Sequence, residues 1–186
     1  MRIILALLMT LVAAAPAWAQ PIRVGFASAM SGPSAITGEG VVWGATMAVE
    51  ELNARGGIMG RKVEAYFADN KGTPGEAVSA VRKLVDVDKV DVIIGQTHSG
   101  ACLGAMPIIK ELGVAQVTEA CSNPKIRELS GKGGNEWQFR VNIDDVIMAN
   151  TFAKSIAQQV TSASVIAQND DFGRWKIGRA SCRERV

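Results

Sequence analysis

Short apolar-rich runs recur along the chain at Ile22–Phe26, Lys62–Asp69, Val90–Gly95 and Val114–Thr118. All four read as strands, and the last two, each too short for a globular helix and bounded by glycine or polar residues, read as buried parallel strands. Between them the period lengthens. After a loop over Ala27–Gly40, Val41, Ala45, Val49 and Leu52 fall on one helical face up to about Ala54, and Gly56-Gly57 stops that helix. Thr73, Pro74 and Glu76 give a cap, a proline at the first helical position and an acid three residues after the cap. They open a helix to about Val87 with Ala77, Val81 and Leu84 inward. A third helix is predicted from Ser99 to about Leu112, then a helical turn over Pro124–Leu129, a glycine-rich loop at Gly131–Gly134 and a strand over Trp137–Val141.

Strict alternation of strand and helix implies a parallel sheet with right-handed crossovers and helices on both faces. The fold class is therefore α/β, a doubly wound lobe over residues 20–142. From Asn142 the pattern leaves this layer, with a helix from Asp144 or Asp145 to about Gln159 and a strand over Ala163–Gln168. Residues 143–175 read as the start of a second lobe, since one helix and one strand cannot close their own core.

The third and fourth strands both end in loops of small polar residues, Gln96–Gly100 and Glu119–Asn123, each followed by a helical segment. In an open α/β sheet that rim is where ligands sit, and helix N-termini offer unpaired N–H groups and partial positive charge to an anion. A carboxylate is the expected guest.

Both ends of the chain alter this picture. Residues 1–19 carry a basic start at Arg2, an apolar run from Ile3 to Ala15 and Ala17-Trp18-Ala19 before Gln20, the pattern of a secretory signal peptide. The apolar run is shorter than a membrane-spanning helix requires, so an exported, periplasmic protein beginning at Gln20 is expected. Residues 176–186 end in I-G-R-A-S-C-R-E-R-V from Ile177, a string that resembles a translated sequencing adapter, fits nothing upstream and is read as non-native. The formal charge of +2 comes from 20 basic and 18 acidic residues. Setting aside Arg2, the tail's three arginines and Glu184 leaves a core of −1. No basic stripe with interleaved aromatics remains, and nucleic acid is not an expected partner.

Of the three cysteines, Cys102 and Cys121 lie in the core, near the predicted rim. They read as two small buried thiols, with a disulfide between them as the alternative in an oxidising compartment. Only His98 could join them around a metal, so neither a metal site nor a cofactor is expected.

Ser28–Pro33 (S-A-M-S-G-P), Gly44–Val63 (G-A-T-M-A-V-E-E-L-N-A-R-G-G-I-M-G-R-K-V) and Asp170–Gly173 (D-D-F-G) resemble the branched-chain amino-acid-binding type of periplasmic substrate-binding protein. The resemblance runs from Ile22 to Gly173 and is most specific in the E-L-N-A-R-G-G-I-x-G-R-K block. It implies a type I binding protein. Such a protein has two α/β lobes joined by three crossovers, closes on an amino acid or related small carboxylate or amide, acts as a monomer and delivers its ligand to the membrane permease of an ABC importer. Members are about twice the length of this core, which implies a truncated second lobe. No covalent chemistry is implied.

By the same resemblance, Ser99 in T-H-S-G matches the serine whose hydroxyl and N–H hold the ligand α-carboxylate; it also fits a helix N-cap. Ala120, Cys121 and Ser122 match a rim that takes the ligand amine and carboxylate, with Cys121 replacing an alanine; a turn with a serine-type cap before Pro124 is the plainer reading. Thr37 falls where related binders carry an aromatic, and Phe172 matches an aromatic that packs on the ligand from the second lobe. Each fits simple packing equally well. Thr97 and His98 flank Ser99 on its loop, His98 as a hydrogen-bond donor and pH sensor or as a satisfied structural residue.

Two other classes fit less well. A Rossmann-type dehydrogenase is suggested by Gly38, Gly40 and Gly44 near a helix start and Asp69 at a strand end. Those glycines lie about a dozen residues past the strand and are spaced G-x-G-x-x-x-G, whereas a dinucleotide loop turns at once. No G-x-S-x-G, H-E-x-x-H or C-x-x-C motif is present. A ligand-sensing domain of a receptor or regulator on the same fold is the other alternative.

Overall fold

The computed structural model describes residues 20–156, 159 and 166–174. Five parallel strands, β1 (Ile22–Ser28), β2 (Val63–Asp69), β3 (Val92–Gly95), β4 (Ala115–Thr118) and β5 (Gln138–Arg140), form one sheet in the order β2-β1-β3-β4-β5. The helices are α1 (Ala35–Ala54), α2 (Pro74–Arg82), α3 (Ser99–Leu112), α4 (Pro124–Glu128) and α5 (Asp145–Ile156). The order reverses between β1 and β3, so the C-terminal ends of those two strands flank the switch point of a doubly wound sheet.

Alternation within each strand sorts the core into two layers. Ala27, Ala68 and Ile93 face α2 and α3, where Ala77, Ala80, Val81, Leu84, Ala105 and Ile109 complete the larger cluster. Val24, Phe26 and Val63 face the other way, onto Val41, Ala45, Val49 and Leu52 of α1. The inward stripes expected for the first two helices are the ones observed. Phe26 and Phe67 stack across the β1–β2 pair with ring centroids 5.4 Å apart. Among the described helices, α1 is the one that contributes side chains to this second cluster, and Phe139 of β5 is 52% exposed.

The elements differ from expectation in three places. The first helix begins at Ala35, after a single 3-10 turn at Gly32–Ser34, so the loop expected to reach Gly40 is six residues shorter. Gly38 permits this: a Cβ there would overlap the Ala29 carbonyl, so only glycine lets α1 press against the end of β1. The second helix passes into π-helical turns over Lys83–Val87. Its N-cap Thr73 does accept from the Glu76 amide, at 3.3 Å, but the Glu76 carboxylate pairs with Lys71 at 3.0 Å and does not reach back to the cap.

At the exit toward the expected second lobe, the fully buried Asp144 caps α5, accepting from the amides of Val146 at 3.0 Å and Ile147 at 3.1 Å. It also pairs with Arg127 and, at 3.6 Å, with Arg140. The signal peptide expected over 1–19, the tail at 176–186 and the first half of the strand expected over Ala163–Gln168 lie outside the described residues; Ile166–Gln168 form no strand. No helix among the described residues is long and apolar enough to cross a membrane.

Candidate functional site

The C-terminal strand ends are knitted into a polar platform, and the parallel register explains why. Ala27 of β1 lies opposite Gly95 of β3, and Ile94 opposite Val117 of β4, so the chains leave the sheet at nearly one level. Ser28, Thr97 and Glu119 thereby line up. The Thr97 hydroxyl donates to Glu119 Oε1 at 2.9 Å and lies 2.9 Å from Ser28 Oγ. A hydroxyl has one proton, so Ser28 donates into Thr97. Beside this chain the buried Asn70 donates to Gln96 Oε1 at 2.7 Å, and its own Oδ1 accepts from Gly72 N at 2.9 Å.

Backbone geometry turns the third strand into this platform. Gly95 has φ +132°, where a side chain would overlap the Ala27 carbonyl, and Gln96 follows at φ +65° although it is fully buried. The Gln96 amide still bonds to the Ala27 carbonyl at 2.8 Å, and its carbonyl accepts from the Cys121 thiol. Held on both sides, the chain turns directly into α3.

Ser99 is the first residue of α3 and 4% exposed. Its Oγ accepts from the Asn123 amide at 3.4 Å and so joins the two rim loops. The N-cap position belongs to His98, whose extended backbone precedes the helix and whose side chain makes no cap bond. The capping reading of Ser99 is therefore corrected: its hydroxyl points across the rim rather than back along its own helix. A similar shift applies to the second loop, where the cap of α4 is Asn123, accepting from Lys125 N at 2.9 Å, and not Ser122.

The remaining predicted residues divide. Thr97, His98, Ser99, Cys121 and Ser122 come together on the rim, Cys121 and Ser122 buried and Ala120 between Glu119 and Cys121 turned to solvent. His98 Nε2 lies 3.1 Å from Ser34 Oγ, which ties the rim to the turn before α1. Thr37, expected in a loop, sits in the first turn of α1 and is exposed. Phe172 lies in the Asp170–Gly173 turn, whose Asp171 carbonyl accepts from Asn123 Nδ2 at 2.6 Å. That bond brings the D-D-F-G turn against the same rim loop.

Sequence reading placed Gln96, Glu119 and Asn123 on the rim loops without singling them out, and gave Ser28 and Asp69 no part in this site. Asp69 accepts from the amides of Met30 and Lys71 at 2.9 and 2.8 Å and from the Ser31 hydroxyl. Burial alone would raise its pKa, but the Ser31 hydroxyl and the Lys71, Met30 and Ser31 amides outweigh it and hold the carboxyl below its ordinary range. Gln96 Nε2 and Glu119 Oε2 are buried without a hydrogen-bond partner. Buried polar atoms are normally satisfied, so a donor and an acceptor left over on one rim are what a polar guest would complete. Among the described residues no group of three or more His, Cys, Asp or Glu side chains is placed to hold a metal ion.

Comparison with known proteins agrees with this architecture. The sequence pattern of a periplasmic binding protein family matches residues 21–180. The chain is 31% identical over 158 residues to an amino acid binding protein of Pseudomonas aeruginosa, covering 82% of this chain and 40% of that one. It is 32% identical over 154 residues to the Leu/Ile/Val-binding protein of Escherichia coli K12, covering 83% and 41%. Among solved structures, the branched-chain amino acid transporter substrate binding protein LivJ of Streptococcus pneumoniae, in complex with isoleucine, superimposes with a TM-score of 0.63 at 28% identity, over 74% of this chain and 39% of that one. The chain thus spans about two fifths of the length of these relatives.

Proposed function

The chain belongs to the periplasmic binding protein family, and from that premise we propose that it is the first lobe, with the start of the second, of an extracytoplasmic solute-binding component of an ABC importer. Its ligand is an amino acid or a related small carboxylate or amide held between two lobes. Its partner is the importer's membrane permease, it acts as a monomer, and residues 1–19 direct it to the periplasm. The observation that carries the reading is Ser99, a buried hydroxyl at the start of a 14-residue helix, aimed at the opposite rim loop. A ligand carboxylate there meets a hydroxyl, unpaired N–H groups of the first helical turn and the positive end of the helix dipole.

Thr97, His98 and Ser122 flank that position, and the Ala120 and Cys121 backbone carries the rim opposite. Glu119 adds an acceptor suited to a ligand ammonium or amide N–H. Thr37 and Phe172 bound the cleft from α1 and from the D-D-F-G turn. The names of the relatives favour branched aliphatic amino acids over other small carboxylates.

The test is calorimetric titration of the protein with L-leucine and with L-leucinamide, which keeps the amine and side chain and lacks the carboxylate. The proposal expects leucinamide to bind at least about tenfold more weakly, the scale of one charge-assisted hydrogen bond. Equal affinities would remove the carboxylate from the recognition scheme.

A further inference from the structure

One pair of reactive groups takes no part in that scheme. Cys102 lies in the first turn of α3, Cys121 lies in the rim loop after β4, and both are free and fully buried. They belong to one small packed cluster with Met106 and Ile126. The same two segments are already clamped by the Asn123 amide on Ser99 Oγ and by the Cys121 thiol on the Gln96 carbonyl. A bond between the sulfurs would therefore close a junction whose backbones are already held together.

We propose that Cys102 and Cys121 are a disulfide site, which in an oxidising compartment staples the start of α3 to the rim loop through Ala120, Cys121 and Ser122. The oxidant is a small-molecule or protein disulfide. One cysteine thiolate attacks it, forming a mixed disulfide and releasing one thiol; the second cysteine attacks the protein sulfur of that mixed disulfide and releases the other. The two cysteines lose two hydrogens and two electrons, and the oxidant leaves as two thiols. The bond formed closes a ring over residues 103–120.

Burial, together with the Cys102 thiol beside it and the Glu119 charge, pushes the Cys121 thiol well up. The first attack is therefore slow near neutral pH and is assisted by mild alkali.

The test uses the full chain with Cys182→Ser, which removes the one other cysteine of the sequence. The protein is equilibrated at about pH 8 in buffers of reduced and oxidised glutathione, with and without urea, then acid-quenched, unfolded, alkylated and weighed. Trypsin cuts after Lys89, Lys110 and Lys125, so Cys102 and Cys121 fall on separate peptides, 90–110 and 111–125. The expected result is a chain lighter by two hydrogens, a linked 90–110/111–125 peptide, and an effective thiol concentration at least tenfold higher without urea than with it. Two alkylated cysteines, separate glutathione adducts, a linked dimer, or an effective concentration no higher than in urea would each overturn the proposal. A chain that fails to bind any amino acid but forms the linked peptide leaves this site intact while removing the binding role, so the two readings fail separately.

Discussion

Replacing Thr97 with valine removes one hydroxyl at the centre of the rim and keeps the side-chain shape. That hydroxyl takes part in two bonds of 2.9 Å, one accepted from Ser28 and one donated to Glu119. The neutral bond is worth about 0.5 to 1.5 kcal/mol and the bond to a carboxylate about 1.5 to 3. The loss is deepened because Glu119 Oε2 already has no partner and Oε1 would then have none. It is relieved in part because Thr97 is half-buried and water can replace some of what is lost. The net expectation is a destabilisation of about 2 kcal/mol, read from the urea midpoint with an unchanged slope. A double-mutant cycle with Glu119→Ala, which removes the acceptor, isolates the pair, and a coupling of about 1 kcal/mol or more is expected. If Thr97→Val costs under about 0.5 kcal/mol, or if the two substitutions simply add, the platform is not a connected network and the reasoning fails.

Other consequences follow from the same structure. Asp144→Ala uncaps α5 and leaves Arg140 and Arg127 without their shared acid, and should cost about 2 to 4 kcal/mol in urea unfolding; a cost under about 1 would show that solvent substitutes for the carboxylate. Gly38→Ala drives a methyl into the Ala29 carbonyl and should destabilise by about 1 to 3 kcal/mol, whereas a neutral result would mean that the start of α1 yields without penalty. Because the folded pKa of Asp69 lies below the ordinary 3.8, its contribution is present above that value and is lost as pH falls through the lower folded pKa. The stability gap between the unsubstituted protein and Asp69→Asn should therefore be flat above about pH 5 and close at lower pH; a gap independent of pH would contradict the assignment.

Most of the scaffold was legible because it depends on local period. Ala77, Val81 and Leu84 announce their helix face, and β3 and β4 announce themselves as short apolar runs closed by glycine or polar residues. The start of α1 was not legible, since Pro33, Gly38 and Gly40 read as loop chemistry; Gly38 is instead required by a neighbour nine residues earlier. Ser99 could be singled out because a strand-to-helix junction is a local feature. Its partner could not, because the Asn123 amide comes from another loop 24 residues away. The Ser28–Thr97–Glu119 chain depends on where three strands end relative to one another, which no single segment encodes. Asp144 is similar: its two arginine partners come from α4 and β5, and only the fold brings them to one buried carboxylate.

The central claim, that this lobe receives a ligand carboxylate at the junction of β3 and α3, is tested most directly by amide chemical shifts. ¹⁵N-labelled protein would be titrated with L-leucine into the millimolar range, where a binding free energy of only about −4 kcal/mol gives half occupancy. The account predicts saturable shifts of the amides of Ser99, Gly100 and residues 120–123, and their loss in Ser99→Ala. Shifts scattered over the surface, or unchanged in that variant, would contradict it.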